Sequence, residues 1–387
     1  MLRCVYVNAN YICVINIFGG EMNMSRKVVS LTVALLLTAG LVFAGGAGQK
    51  QDTGKGLIGV VMPTRSEERW NKDGAAVKAG LEKLGYTVDL QFSDDDIPTQ
   101  VRQLDSMITK GVKALVIASI DGSALSNQLA NARASKIPVI AYDRLLMQSP
   151  NVDYYVSFDN YKVGGQMGDI LVNGLKLNQA TTAKPVIIEL FAGSPDDNNS
   201  VGFYQGAMDK LKPFMDKGVL KVPSGQIDRA VVGTLRWDAA EAQKRMENLL
   251  SAFYSGNVVL DGILSPYDPI SLSCLEACKA VGYGSTPGKP LPLVGGQDCI
   301  VASCKSILAG EQYATILKDT RSLGAATVEL VDTLMQGKTP TGLDTSSYNN
   351  GAKIVPSLLL DSVIVTKDNL KSAVVDTGYH TASEVGM

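Results

Sequence analysis

From residue 57 onward, short apolar runs alternate along the chain with longer amphipathic stretches. The run 57–62 is apolar throughout and predicts a buried strand, while Val77, Leu81 and Leu84 in the next stretch recur at helical spacing. Continuously apolar strands that alternate with amphipathic helices are typical of a parallel sheet covered by helices on both faces. The pattern therefore predicts an α/β fold.

The predicted elements fall into two successive series of similar size. The first has strands at 57–62, 87–92, 114–117 and 138–141 and helices at 68–84, 98–110 and 123–134. The second has strands at 186–191, 261–264, 292–294 and 313–316 and helices at 163–175, 198–211, 239–254, 270–281 and 301–309. Two such series indicate two similar Rossmann-like lobes with parallel sheets. In sheets of this kind, ligands bind beyond the carboxyl ends of the strands.

Residues with hydrogen-bonding side chains follow the predicted strands. They occur at Arg69-Trp70, Asp143-Arg144, Asp196-Asp197-Asn198-Asn199, Arg236-Trp237, Asp268, Asp298 and Lys318. Single clusters also have structural explanations, since Asn198 and Asn199 suit the start of a helix and Asp268 directly precedes Pro269. Taken together at equivalent strand ends, the clusters predict a polar ligand-binding cleft.

The residue types in these clusters match the chemistry of a sugar. Carboxylates accept hydrogen bonds from hydroxyl groups, while Arg, Lys and Asn donate them. Trp70 and Trp237 are the two tryptophans of the chain, and each directly follows an arginine. They could cover the two apolar faces of one pyranose ring, although a tryptophan in a large domain is more often a packing residue.

Composition and the N-terminal pattern bear on partners and location. The 387-residue chain has 36 Lys and Arg against 38 Asp and Glu, a net charge of −2, which argues against a nucleic-acid partner. Arg26-Lys27 precedes an apolar run at 28–43 and small residues at 44–48, which predicts a secretory signal peptide at 24–47. Residues 1–23 are then interpreted as an upstream extension from a misplaced gene start, with a genuine extension as the alternative.

Four cysteines follow the predicted signal peptide, namely Cys274, Cys278, Cys299 and Cys304. Export permits disulfides, so buried free thiols and a disulfide between the two pairs are the alternatives. The single histidine, His380, lies far from these thiols in sequence. The sequence therefore predicts neither a metal site nor a cofactor.

The strings at the strand ends resemble those of the periplasmic sugar-binding proteins of ABC transporters, in the xylose-binding and multiple-monosaccharide-binding branch. The likeness spans about residues 57–380 and is carried by Met62-Pro63-Thr64, Glu68-Arg69-Trp70, Asp94-Asp95-Asp96-Ile97-Pro98, Ala141-Tyr142-Asp143-Arg144, Gly193-Ser194-Pro195-Asp196-Asp197-Asn198-Asn199, Gly233-Thr234-Leu235-Arg236-Trp237 and Gly296-Gln297-Asp298. The resemblance implies a type I periplasmic binding protein, with the ligand in a cleft between two lobes.

The resemblance also implies a hinge of three crossing segments, near Asn160, Lys318 and Tyr348. The N-terminal lobe would comprise residues 57–160 with about 319–347, and the C-terminal lobe 161–318 with about 348–387. One departure from the family pattern lies in the cleft wall. Cys299 follows Asp298 where family members commonly carry Ala, and Cys304 is close enough in sequence for a local disulfide.

Carried over residue by residue, the resemblance implies a set of sugar contacts. They are Arg69, Trp70, Asp143 and Arg144 from the first lobe, Asn198 or Asn199, Trp237, Asp268 and Asp298 from the second, and Lys318 at the hinge. Trp70 and Trp237 would cover the ring faces, Asp143 and Arg144 would hold adjacent hydroxyls, and Asp298 and Lys318 would hold hydroxyls across the ring.

The implied function is capture of a monosaccharide of the xylose, glucose, galactose or arabinose class in the periplasm and its delivery to an ABC transporter permease. We expect a soluble monomer that performs no chemistry. A membrane chemoreceptor or sensor kinase is a further expected partner. Two other classes are disfavoured: a glycoside-acting enzyme, because donors surround every candidate carboxylate, and a transcription regulator, because an export signal stands where a DNA-binding motif would lie.

Overall fold

The computed structural model describes residues 2–7, 10–15 and 54–387, apart from residue 257. The first two ranges form an antiparallel hairpin of strands β1 (Leu2–Val7) and β2 (Asn10–Ile15). The predicted signal peptide lies outside the described residues, as does the remainder of the predicted upstream extension. Residues 54–387 form a separate unit.

The strands of residues 54–387 are β3 (Leu57–Met62), β4 (Thr87–Phe92), β5 (Ala114–Ile117), β6 (Val139–Tyr142), β7 (Tyr154–Phe158), β8 (Val186–Leu190), β9 (Leu220–Lys221), β10 (Gly262–Leu264), β11 (Leu293–Val294), β12 (Ala314–Leu317), β13 (Ser357–Leu360) and β14 (Val363–Thr366). The α-helices are α1 (Glu68–Lys83), α2 (Ile97–Thr109), α3 (Ser126–Ala134), α4 (Asn160–Gly174), α5 (Asn199–Asp216), α6 (Arg229–Val232), α7 (Ala239–Phe253), α8 (Asp268–Ala280), α9 (Val301–Ala309), α10 (Thr320–Met335) and α11 (Ala382–Val385).

Two parallel sheets confirm the predicted fold class. The N-terminal lobe contains six parallel strands in the spatial order β13-β7-β6-β5-β3-β4. The C-terminal lobe contains the parallel order β11-β10-β8-β9 and a separate antiparallel pair of β12 with β14. In β3, Ile58, Val60 and Met62 join the core on one face of the sheet, while Val61 joins the core on the other. Helices therefore cover both faces.

The chain passes between the lobes at three places. The first two are at Asp159 and Asp319, and each of these side chains caps the helix that follows. Asp159 accepts a hydrogen bond from Lys162 N at 3.0 Å, and Asp319 accepts one from Arg321 N at 2.9 Å. Such capping suits an abrupt turn from a strand into a helix. The Lys162 ammonium lies 2.6 Å from Asp361 and joins the first segment to the third.

The third crossing differs from the expectation near Tyr348. Strand β13 pairs in parallel with β7 and belongs to the N-terminal lobe, whereas β14 pairs with β12 of the C-terminal lobe. The crossing therefore lies at Asp361 and Ser362. Residues 348–360, predicted in the C-terminal lobe, pack with the N-terminal lobe, where Asn350 donates hydrogen bonds to the carbonyls of Leu146 and Ser149.

Helices α4 and α5 approach each other closely because glycines lie at their contact. A Cβ added at Gly206 would lie 2.1 Å from the Tyr161 carbonyl oxygen, which is backbone of the facing helix. A Cβ at Gly165 would meet only the end of the flexible Lys210 side chain, at 3.6 Å. The contact matters for the cleft, because α4 begins at the first crossing and α5 begins at the cleft residue Asn199.

We predict that Gly206→Ala and Gly165→Ala change the free energy of unfolding in opposite directions. Gly206→Ala should lower it by about 1–3 kcal/mol, because the added methyl group forces the two helices apart. Gly165→Ala, the matched control, should raise it by about 0.5–1 kcal/mol, because alanine favours the helix and has room. Urea unfolding measures both values, and equal effects would contradict this account of the helix contact.

Candidate ligand-binding cleft

Charged and aromatic side chains from both lobes line one cleft. The lining residues are Glu67, Arg69, Trp70, Asp143, Arg144, Asp197, Asn199, Phe203, Trp237, Tyr267, Gln297, Asp298 and Lys318. The space between them, including its opening to solvent, is about 280 Å³. Most of these residues lie in the loops and first helical turns that come after strands, so the cleft lies at the carboxyl ends of both parallel sheets.

Arg69 lies in the first turn of α1 and is 5% exposed. Its guanidinium nitrogens lie 3.1 Å from Asp73 Oδ2 and 3.1 Å from Asp143 Oδ1 within the same lobe, and 3.4 Å from Asp298 Oδ1 in the other lobe. Burial acts to lower the pKa of Arg69, but the three carboxylates outweigh burial and raise it. Arg69 therefore stays charged and connects the lobes.

Lys318, which directly follows β12, completes this buried cluster. Its Nζ lies 3.4 Å from Asp143 Oδ1 and 3.4 Å from Asp298 Oδ1, and the residue is 2% exposed. Burial acts to raise the pKa of Asp143, but Arg69, Lys318 and Arg144 together lower it to about 2. The Asp143 carboxylate is therefore ionised at neutral pH and is a strong hydrogen-bond acceptor.

The backbone of Asp143 has a positive φ of 57°, which is uncommon for a residue other than glycine. Its carbonyl oxygen accepts hydrogen bonds from Tyr155 OH at 2.6 Å, Ser157 Oγ at 3.0 Å and Asn199 Nδ2 at 2.8 Å. Tyr155 and Ser157 belong to β7, and Asn199 comes from the other lobe. Three donors thus hold a strained turn in place, as is common at functional sites.

Trp237 forms an aromatic wall in the C-terminal lobe. Its ring meets Phe203 and Tyr267 edge-on, with centroid distances of 6.3 and 5.9 Å. Gly193 allows the ring this position, because a Cβ there would lie 2.0 Å from the ring atom Cη2. The orientation of Trp237 is therefore set by rigid neighbours.

Trp70 is the second tryptophan of the lining and belongs to the N-terminal lobe. The guanidinium carbons of Arg69 and Arg144 lie 4.4 and 5.1 Å from its ring centroid, which is within the range of cation–π attraction. Arg144 also reaches across the cleft, where its Nε lies 3.2 Å from Asp197 Oδ2. Burial raises the pKa of Asp197, and the Arg144 charge opposes that rise without cancelling it.

Apart from Arg69 Nη2, which is in ion-pair contact with Asp73 and Asp143, three buried polar atoms of the lining have no hydrogen-bond partner within the described part of the chain. They are Trp70 Nε1, Trp237 Nε1 and Gln297 Oε1. Buried polar groups are nearly always hydrogen-bonded, so such atoms need a partner. The two indole N–H groups require an acceptor and the amide oxygen requires a donor. A ligand with hydroxyl groups supplies both.

The described residues contain neither a metal site nor a helix that could span a membrane. No group of three or more His, Cys, Asp or Glu in that part of the chain is arranged to hold a metal ion. Within the same residues, every helix is too short or too polar to cross a bilayer.

Comparison with known proteins agrees with this geometry. The family model described as a periplasmic binding protein domain matches residues 58–339. The multiple sugar-binding periplasmic receptor ChvE of Rhizobium radiobacter is 49% identical over 360 residues, covering 93% of this chain and 99% of ChvE. The chain belongs to the periplasmic binding protein family.

Two further relatives of this binding protein are informative. The D-xylose-binding periplasmic protein of Escherichia coli strain K12 is 35% identical, covering 85% of this chain and 92% of the relative. A solved ABC transporter solute-binding protein from Clostridium phytofermentans with bound β-D-glucose is 43% identical, with a TM-score of 0.81. That alignment covers 85% of this chain and 99% of the solved one.

The cleft of the binding protein contains every sequence-predicted site residue except Asn198 and Asp268. Asn198 is half-buried at the start of α5, and the neighbouring Asp197 lines the cleft in its place. Asp268 is fully buried behind the wall, where its carboxylate accepts hydrogen bonds from Thr315 Oγ1 at 2.7 Å, Ile300 N at 3.0 Å and Gln312 Nε2 at 3.2 Å. Both of its oxygens are occupied by the wall, so we assign it to wall structure.

Five lining residues were not predicted, namely Glu67, Asp197, Phe203, Tyr267 and Gln297. Each lies close to a predicted residue: Glu67 is two positions before Arg69, Asp197 directly precedes Asn198, and Phe203 lies one helical turn beyond Asn199. Tyr267 and Gln297 directly precede Asp268 and Asp298. Which neighbour faces the cleft depends on local backbone angles, which residue type does not specify.

We predict that Asp268→Asn gains stability over the wild-type protein as pH rises from 4 to 8. Burial raises the pKa of Asp268 from 3.8 to about 7, against the opposing hydrogen bonds from Thr315 and Ile300. A carboxyl whose pKa is raised by folding stabilises fully below its unfolded pKa and loses that contribution as pH rises through its folded pKa. The unfolding free energy of the variant minus that of the wild type should increase by up to about 4 kcal/mol between pH 4 and pH 8. A difference independent of pH would contradict this assignment.

Proposed function

We propose that this periplasmic binding protein captures one monosaccharide of the glucose, xylose, galactose or arabinose class between its lobes. The observation that carries the proposal is the ionised Asp143 carboxylate, held by Arg69 and Lys318 at the cleft between two tryptophans. The combination offers charge-assisted acceptors and donors to hydroxyl groups and aromatic faces to the C–H side of a sugar ring. Two solved relatives, from Clostridium phytofermentans and Chloroflexus aurantiacus, hold glucose, which supports the same ligand class.

The proposed contacts follow from the lining. Trp237 covers one face of the ring, and Trp70 covers the other while it also orients Arg69 and Arg144. Asp143 and Arg144 hold adjacent hydroxyl groups, and Asp298 with Lys318 holds hydroxyls across the ring. Asn199, Asp197 and Gln297 extend the set of polar contacts in the C-terminal lobe, and Asn198 and Asp268 leave it.

Binding is coupled to closure of the lobes. The contacts of Arg69 with Asp298 and of Arg144 with Asp197 form only when the two walls meet. A ligand that bridges these walls favours the closed state by the free energy of the added contacts. Closure also excludes water, which strengthens the hydrogen bonds to the ligand.

The closed, loaded protein then delivers the sugar to the permease of an ABC transporter, and we place this step in the periplasm. Both parts of the proposal are supported by relatives named as periplasmic receptors and as an ABC transporter solute-binding protein. No chemical step on the sugar is proposed. The cations that surround the lining carboxylates suit recognition of hydroxyl groups.

We predict that calorimetric titration of the purified protein with glucose, xylose, galactose and arabinose detects at least one with a dissociation constant in the micromolar range or below. The same sugar should raise the melting temperature, because a ligand that binds only the folded state stabilises it. Mannitol, an open-chain polyol without a ring, is the matched control and should have no effect. Absence of binding by all four sugars would overturn the proposal.

We predict that Asp143→Asn weakens the binding of that sugar by about 10-fold to 150-fold, because a charge-assisted hydrogen bond is worth about 1.5–3 kcal/mol. Asp216→Asn is the matched control, because Asp216 forms an exposed ion pair with Lys212 at the end of α5. This variant should bind the sugar with wild-type affinity. A melting curve of each variant separates loss of binding from loss of folding. Wild-type affinity in Asp143→Asn would remove this residue from the contact set.

A further inference from the structure

Two cysteine sulfurs touch directly behind the cleft wall. Cys299 Sγ and Cys304 Sγ are 3.5 Å apart, and both residues are fully buried. Cys299 ends the turn that follows β11, and Cys304 lies in the first half of α9. A disulfide has an S–S distance of about 2.05 Å, so the two sulfurs need to approach by about 1.5 Å to bond.

The turn that contains Cys299 carries the cleft residue Asp298. Both residues have positive φ, 87° for Asp298 and 52° for Cys299, so the turn is conformationally costly. Three contacts brace it: Asp298 N donates to the Ile316 carbonyl at 2.9 Å, Cys299 N donates to Thr315 Oγ1 at 3.3 Å, and His380 Nε2 donates to the Cys299 carbonyl at 2.7 Å. A covalent link at this point would hold the Asp298 carboxylate in position against Arg69 and Lys318.

We propose that Cys299 and Cys304 form a disulfide in the exported protein and that this bond fixes the Asp298 turn of the cleft wall. The inference rests on the proposed periplasmic location, because disulfides form and persist in oxidising compartments. The two thiols lose two protons and two electrons, and the acceptor is a disulfide of a thiol oxidoreductase or of glutathione, which is reduced to two thiols.

The bond should form while the chain folds. Contact with Cys304, together with burial, raises the pKa of the Cys299 thiol well above its usual range, and the folded wall shields both sulfurs. Thiolate exchange is therefore slow in the native protein in both directions. Cys274 and Cys278 lie one turn apart on α8, are buried in the main core, and should remain free thiols.

Trypsin provides a direct test, because the two pairs lie on different peptides. Residues 246–279 contain Cys274 and Cys278, and residues 280–305 contain Cys299 and Cys304, with Lys289 protected by Pro290. The full chain is exported from a bacterial host, unfolded in guanidinium without reductant, alkylated with iodoacetamide and digested. We expect two alkyl groups on 246–279, none on 280–305, and a mass for 280–305 that is two hydrogens below its dithiol form.

Alkylation of both cysteines in 280–305, or a covalent link between the two peptides, would overturn the proposal. A second measurement uses stability. The protein is reduced in denaturant and refolded, and its melting temperature is compared with that of the untreated protein. The treatment should lower the melting temperature of the wild type by a few °C but should not change that of Cys304→Ser. A reductant effect of equal size in Cys304→Ser would also overturn it. Two further measurements separate a failure of this inference from a failure of the proposed function. They are sugar titration of the oxidised sample and determination of the N-terminal sequence of the exported protein.

Discussion

The arrangement of the cleft depends on pairing four buried charges across two lobes. Arg69 and Lys318 are cations, Asp143 and Asp298 are carboxylates, and each is almost completely inaccessible to solvent. An unpaired ion at such depth would cost several kcal/mol, so each charge needs its partners close by. Arg69 pairs with Asp143 within the N-terminal lobe, whereas the contacts of Arg69 with Asp298 and of Lys318 with Asp143 join the two lobes. Closure therefore completes the pairing of these charges.

This constraint explains why a sugar is a suitable ligand. Hydroxyl groups donate and accept at the same time, so a sugar can insert among the ions and replace their mutual contacts with charge-assisted hydrogen bonds. The two indole N–H groups and the Gln297 amide oxygen, which lack a hydrogen-bond partner among the described residues, add uncharged donors and an uncharged acceptor. In the proposed complex the aromatic rings exclude water from the C–H faces of the sugar, so affinity and closure arise from the same groups.

The scaffold behind the cleft keeps these groups aligned. Asp143 is held at its carbonyl by donors from both lobes. The Asp298 turn is held by Thr315 and His380, and the Asp268 carboxylate supports it by accepting hydrogen bonds from Thr315 and from the Ile300 amide. The C-terminal segment adds contacts outside the cleft: His380 Nδ1 lies 3.3 Å from Lys72 Nζ, and Arg321 donates to the Thr377 carbonyl at 2.8 Å. These polar groups stabilise the walls and leave the cleft carboxylates to a ligand.

The sequence by itself determined the fold class and most of the cleft. Alternating apolar strands and amphipathic helices can bury their surfaces only as parallel sheets between helices, and ligands meet such sheets at the carboxyl ends of the strands. Asp143 and Lys318 directly follow β6 and β12, so strand position pointed to them, whereas the full set of expected sugar contacts came from the family resemblance.

Tertiary structure decided which neighbour in each polar cluster faces the cleft and where the third crossing lies. Tyr267 rather than Asp268, and Asp197 rather than Asn198, line the space because the direction of a side chain after a strand depends on backbone angles that residue type does not specify. Strand β13 joins the N-terminal lobe through its pairing with β7, a contact between residues some 200 positions apart. Local sequence cannot encode such a pairing, because it becomes favourable only when the rest of the sheet exists.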